Sequence, residues 1–228
     1  MTRDNPKYSA YISILKEELI PAMGCTEPIA LAYCAAKARE VLGEMPDKVV
    51  IGASGSIIKN VKSVIVPNTD RMKGIPAAAV AGIVAGDSAK ELEVIASVTP
   101  EQIAAMRLFL ANVPITVEHV DNGLTFDIIV TVYSGESSAM VRIVNYHTNI
   151  VHIEKNGEVL LDLEVDGEDE SGLTDRSILN IADILDFANT VDVEEVKELL
   201  DRQIEYNTAI AAEGLRGNYG SNIGSILL

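Results

Sequence analysis

ITVEHVDNGLTFDIIVTVYSGESSAMVRIVNYHTNIVHIEKNGEVLLDL, residues 115–163, decides the fold class. Apolar and polar residues alternate over 115–120, 124–133, 138–146 and 149–155, with a shorter run at 158–163. A period of two sends successive side chains to opposite faces, so each run predicts a strand with one buried side. Asp121-Asn122-Gly123 and Lys155-Asn156-Gly157 hold the residue types that accept positive φ in tight hairpins. A mostly antiparallel sheet built this way buries one face under helices. Two helices on that face predict an α+β fold.

Upstream, Tyr8, Ile12, Leu15 and Leu19 recur at helical spacing over residues 6–20, and Pro21 closes that helix. The stretch 27–42 is apolar almost all round through IALAYCAAKA, which predicts a deeply buried helix ending at Gly43. Lys48 to Ile51 and Val61 to Val66 read as strands separated by a Gly52-Ala53-Ser54-Gly55 turn. Lys73-Gly74-Ile75-Pro76 opens a short Ala/Gly helix to Ala85, and Glu91 to Ser97 reads as another strand. Thr99-Pro100-Glu101-Gln102 is a capping box with proline at the first helical position. Downstream, Thr174 is placed to cap a helix carrying Ile178, Ile181 and Leu185. Asp192-Val193-Glu194-Glu195 opens a second one, to about Ala212, that Gly214 ends. Three segments result: a helical segment 1–46, a central α+β domain 47–170, and a helical segment 171–228 that packs with the first.

A chain of 228 residues, 48% hydrophobic with three Phe and no Trp, buries a full core of small side chains. Its formal charge of −16 argues against nucleic acid and against an anionic membrane surface. The densest acidic run, Asp162 to Glu170, lacks calcium-loop spacing and reads as a solvated turn. No long apolar run predicts a membrane span and the first residues do not read as a signal peptide. Two cysteines nine positions apart make no disulfide framework, so a cytoplasmic protein is expected. The apolar run that ends at Leu228 reads as a docked segment or as a cut from something longer.

Met23-Gly24-Cys25-Thr26-Glu27-Pro28 carries the chemistry. It sets a thiol just ahead of the buried helix, with Thr26 as N-cap and Pro28 in the first turn. Unpaired N–H groups and the helix dipole favour a thiolate there, and a thiolate is a nucleophile or a metal ligand. A small buried hydrophobe is the plainer role for a single cysteine, and the one expected of Cys34. Glu27 lies where it can orient the thiol, meet a substrate ammonium, or simply complement the dipole. Asn68, Thr69 and Lys73 can hold a carboxylate at a helix start, or form a capped loop with a solvated lysine. Gly52-Ala53-Ser54-Gly55-Ser56 lacks P-loop spacing and reads as an ordinary turn. His147 and His152 differ by an odd number, which within one strand sends them to opposite faces and disfavours a zinc pair. His147, followed by Thr148 and Asn149, is the better functional candidate, beside the alternative of a hydrogen-bonded structural histidine. His119, next to a turn, is expected to be exposed.

The segment GCTEPIALAYCAAKA, residues 24–38, resembles the N-terminal motif of iron–sulfur L-serine dehydratase α-chains and L-cysteine desulfidases. Lys59-Asn60-Val61, Val66-Pro67-Asn68-Thr69, Lys73-Gly74-Ile75 with AAAVAGIVAG, His147-Thr148-Asn149-Ile150 and the Asn218-Tyr219-Gly220 region extend the resemblance over the whole chain. It implies elimination of water or sulfide from L-serine or L-cysteine to an enamine, then pyruvate and ammonia. It further implies Cys25 as a ligand of a [4Fe–4S] cluster, Thr26 and Glu27 as pocket residues, and Lys59, Asn60 and Asn68 as substrate contacts. Members of that family continue further and supply more cluster cysteines. With two cysteines this chain does not assemble the cluster alone, and by itself is expected to be silent. A homo-oligomer acting on a small amino acid is expected. The rival expectation is a non-catalytic module that binds a small molecule or dimerises through the central sheet.

Overall fold

A computed structural model describes residues 1–165, 173–217, 219 and 221–228. Its chain forms two compact units, Met1–Ile20 with Glu170–Leu228, and Pro21–Asp169. The division expected after residue 46 falls instead before Pro21, because the second helix packs on the sheet. The expected boundary at 170/171, and the acidic run from 166 onwards, lie outside the described residues.

The larger unit is an α+β sheet domain. Its six strands are β1 (Lys48–Ala53), β2 (Ile115–His119), β3 (Asp127–Ser134), β4 (Ser137–Val144), β5 (Ile150–Lys155) and β6 (Glu158–Asp162), in the order β2-β1-β3-β4-β5-β6. Only the β1–β2 pair is parallel; the others are antiparallel. Val49, Ile51 and Ala53 oppose Val132, Val130 and Ile128, and those oppose Ala139, Val141 and Ile143, so one face is a continuous buried aliphatic layer. Complete burial of an isoleucine or valine contributes about 1.5–3 kcal/mol each. Residues of the opposite parity, such as Ile129, Thr131 and Arg142, are half-buried.

The buried face is covered by α2 (Thr26–Leu42) and α4 (Gly74–Ala85), which also pack on each other. A Cβ on Gly82 would lie 1.9 Å from the Ala32 carbonyl oxygen, and one on Gly86 2.7 Å from the Ala36 methyl. The two backbones approach as closely as glycine allows. Helices α3 (Gly55–Val61), α4 and α5 (Pro100–Asn112) carry the chain from β1 to its parallel neighbour β2. Helix α5 starts with the expected capping box: Thr99 Oγ1 accepts from Gln102 N at 3.3 Å, and Gln102 Oε1 accepts from Thr99 N at 2.9 Å.

Several local expectations are corrected. Residues 61–66 are not a strand: Ser54 starts α3, Ile57 and Val61 are buried from it, and only Ile65 bridges to Lys73. Residues 91–97 are not a strand either. A 3-10 turn over Ser88–Glu93, with Glu91 at φ 47°, turns Leu92, Val94 and Ile95 into the core as a plug. Asp121-Asn122-Gly123 is no hairpin, because β1 lies between β2 and β3. Asn156 and Gly157, at φ 51° and 81°, do make the β5–β6 hairpin.

The smaller unit holds α1 (Pro6–Glu18), α6 (Ile181–Thr190), α7 (Val193–Arg216) and α8 (Ile223–Leu227); Tyr8 and Tyr11 of α1 meet Phe187 of α6 with ring centroids 5.6 and 5.2 Å apart. Asn180, not Thr174, caps α6; Thr174 donates to Glu17 instead. Helix α7 runs through Gly214 to Arg216.

Replacing Gly82 with alanine should cost about 2–3 kcal/mol by forcing α2 and α4 apart. Gly214→Ala, with nothing within 4 Å of the new methyl, should gain about 0.5–1 kcal/mol as a helix-interior change. Urea unfolding of the two variants checks the opposite signs.

Candidate functional site

The first turn of α2, the end of α3, the 66–69 loop and the β4–β5 turn meet at one end of the sheet domain. Gly24, at φ 117°, brings its loop beside Pro67, 3.8 Å from where a Cβ would sit. Cys25 itself is the N-cap residue of α2, at φ −62° and ψ 121°, and Thr26 is the first helical residue; this corrects the expected N-cap. The side chain of Cys25 makes no cap bond at the helix start.

Glu27 is the centre of the cluster. Its Oε2 accepts the Cys25 thiol hydrogen at 3.1 Å, and its Oε1 accepts from Asn60 Nδ2 at 3.1 Å. Burial pushes the Glu27 carboxyl up, but the bonds from Cys25, its own backbone and Asn60, with the nearby His147, outweigh this and hold it below the usual range. Cys25 moves the other way. Burial raises its pKa first, and the hydrogen bond to Glu27 and that carboxylate's charge raise it further. The thiolate expected from the helix dipole is therefore not the resting form: burial, with the carboxylate next to the sulfur, outweighs a partial positive charge.

His147 sits in the β4–β5 turn with its ring 4.7 Å from Phe126, at an interplanar angle of 67°. Burial lowers its pKa, against the smaller upward pull of Glu27, so the imidazole is neutral at pH 7. The turn is anchored from below. Asp127, wholly buried at the start of β3, accepts from Arg142 at 3.0 and 2.7 Å and from Asn122 at 2.6 Å. Phe126, next to it, accepts from the Asn145 backbone N–H at 3.0 Å.

The structure thus brings Cys25, Glu27, Asn60 and His147 together, with Thr26 half-buried beside them. Lys59 and Lys73 are exposed, Lys73 at the N-cap position of α4 without a side-chain cap. Asn68 donates to the Ile95 and Ala96 carbonyls, and buried Thr69 donates to Val66, so both lock their loop. His119 is exposed, and His152 bonds Asp162 at 2.9 Å. Cys34 is fully buried and donates to the Val141 carbonyl at 3.3 Å. Phe126 and the Asp127–Arg142 pair carried no motif; a lone acid opening an otherwise aliphatic strand was the available signal.

An iron–sulfur cluster does not fit these residues. Cys25 is the single accessible thiol, and no group of three or more Cys, His, Asp or Glu side chains among the described residues is arranged to hold a metal. No helix among them is long and apolar enough to cross a membrane.

If Glu27 couples both groups, Glu27→Gln should lower the titration of His147, which loses its supporting carboxylate, and of the Cys25 thiol, which loses the charge opposing its ionisation. NMR of the imidazole should show the first. A severalfold faster alkylation of Cys25 at pH 8 should show the second.

Comparison with known proteins places the whole chain beside proteins carrying the name UPF0597. It is 54% identical over 228 residues to one from Desulfitobacterium hafniense, covering 100% of this chain and 53% of that protein. It is 51% identical over 221 residues to one from Lachnoclostridium phytofermentans and 43% over 229 residues to one from Treponema denticola, each again covered over 53% of its length. The chain spans about half the length of the curated relatives it matches. No family model matches the sequence, and no solved structure does. These relatives overturn the kinship expected with L-serine dehydratase α-chains and L-cysteine desulfidases: the full-length similarity is to UPF0597 proteins, a name that states no activity.

Proposed function

We propose that the Cys25–Glu27–Asn60–His147 cluster forms one wall of the active site of a cytoplasmic lyase that eliminates water from L-serine or hydrogen sulfide from L-cysteine. The observation that carries this reading is Glu27, a carboxylate fixed by Asn60 between a thiol and a neutral imidazole. A fixed carboxylate suits the ammonium of a small amino acid, and the uncapped start of α2 suits its carboxylate. An ammonium on Glu27 also offsets the carboxylate charge that opposes ionisation of Cys25, while burial continues to favour the thiol. His147, neutral and half-buried, can take up or return a proton. Elimination leaves an enamine, which tautomerises to an imine; water then gives pyruvate and ammonia. No step is assigned to a cluster.

The full gene product containing this chain, purified without oxygen, should release pyruvate from L-serine or L-cysteine. Glu27→Gln and Cys25→Ala should each lower kcat/KM about 100-fold, within the range for acid–base and positioning groups, and leave the melting temperature unchanged. Calorimetric binding of either amino acid without pyruvate would overturn the lyase reading in favour of a non-catalytic binding module.

A further inference from the structure

Helix α7 is packed at its beginning and exposed along the rest, where Gly224 of α8 lies against Leu215. Val196 is buried, yet every residue from 203 to 216 is exposed. That exposed part is not polar. Leu200, Ile204, Ala211 and Leu215 follow one another at steps of four, seven and four, which is one helical face. Ile204 is 63% exposed and Leu215 45%. A helical stretch packed only against the five-residue α8 near its end is marginal in water, and here it contains Asn207, Thr208 and Gly214.

The stripe continues an apolar groove of about 350 Å³ within the same unit, whose walls include Tyr11 and Ile14 of α1, Ile184 and Phe187 of α6, and Val196 and Leu200 of α7. The far side of α7 is acidic, with Glu194, Glu198, Asp201 and Glu205 spaced along it against Lys197 and Arg202. A groove and stripe of this form take an amphipathic helix as i, i+3, i+4, i+7 anchors.

We propose that the groove and the Ile204–Leu215 stripe are the docking surface for an amphipathic helix with lysine or arginine flanks. The helix comes from the polypeptide that makes up the other half of the curated relatives. Two observations fix that occupant. The relatives carry nearly as much chain again outside the matched stretch, which covers 53% of their length. The acidic edge of α7 complements basic flanks and opposes an equally acidic copy of itself. This surface is independent of the chemistry at Glu27.

The 228-residue chain is mixed with a separate polypeptide comprising the part of the Desulfitobacterium relative outside the matched stretch, and followed by sedimentation and hydrogen exchange. The expected result is a one-to-one complex in which amides 203–216 become protected. Ile204→Asp with Leu215→Asp should weaken it about 100-fold, the scale of hot-spot loss. Ala209→Asp, on the polar side, should leave it within about twofold. Both substituted residues are exposed, and unchanged ellipticity of the free chain checks that it still folds. No complex, or a complex indifferent to Ile204→Asp and Leu215→Asp, overturns the proposal. Protection that rises with the concentration of the chain alone overturns it in favour of a second copy. Protection already complete in the dilute monomer overturns it as well.

Discussion

The sheet domain rests on a contact in which no side chain takes part. At Gly82 the backbone of α4 lies against the Ala32 carbonyl of α2 so closely that no Cβ fits between them. Interiors are packed to the density of crystals, so helices this close leave no room to slide. The alanine richness of both segments follows from the same restriction, since larger residues at Ala32, Ala36 or Ala78 would separate the helices. Because the first turn of α2 carries Cys25 and Glu27, the restriction also fixes where that turn stands over the sheet.

On this rigid base the site is a problem in shared charge. One carboxylate serves a thiol and an amide and faces an imidazole, and each neighbour shifts in the direction set by its own charged form. The acid is favoured as an anion, the sulfur is held as a thiol, and burial keeps the ring neutral. Asp127 supplies a second, buried negative charge, but it is spent on Arg142 and Asn122 and holds the neighbouring loops in place. The two acids sit in one domain with opposite employments, one closed by its partners and one open to exchange.

Much of the fold was legible in the sequence. β3 to β6 alternate cleanly and are joined locally, so period and turn chemistry agree; the Thr99 capping box and Gly43 were equally plain because both act within a few residues. Val61 to Val66 and Glu91 to Ser97 misled for one reason. Their branched apolar residues report burial, and burial alone does not distinguish a strand from a helix turn or a plug. The insertion of β1 between β2 and β3 depends on pairing partners far apart in sequence, which no local turn signal can announce. At the site, Cys25 and Glu27 were visible as a motif, whereas the direction of the thiol shift was not. It depends on which way the Glu27 side chain turns and on Asn60 and His147, brought in from distant elements.

The parallel pairing of β1 with β2 has a kinetic consequence. The hairpins from β3 to β6 close over short loops, but β2 can join β1 only after the whole excursion 54–114 has been gathered in. Closing such a span costs chain entropy before any contact repays it, so long-range pairing is the slow event in assembly. Asn60, whose amide orients Glu27, lies inside that excursion. The Asn60–Glu27 hydrogen bond joins residues 33 positions apart, so it too is a non-local contact that costs chain entropy to close.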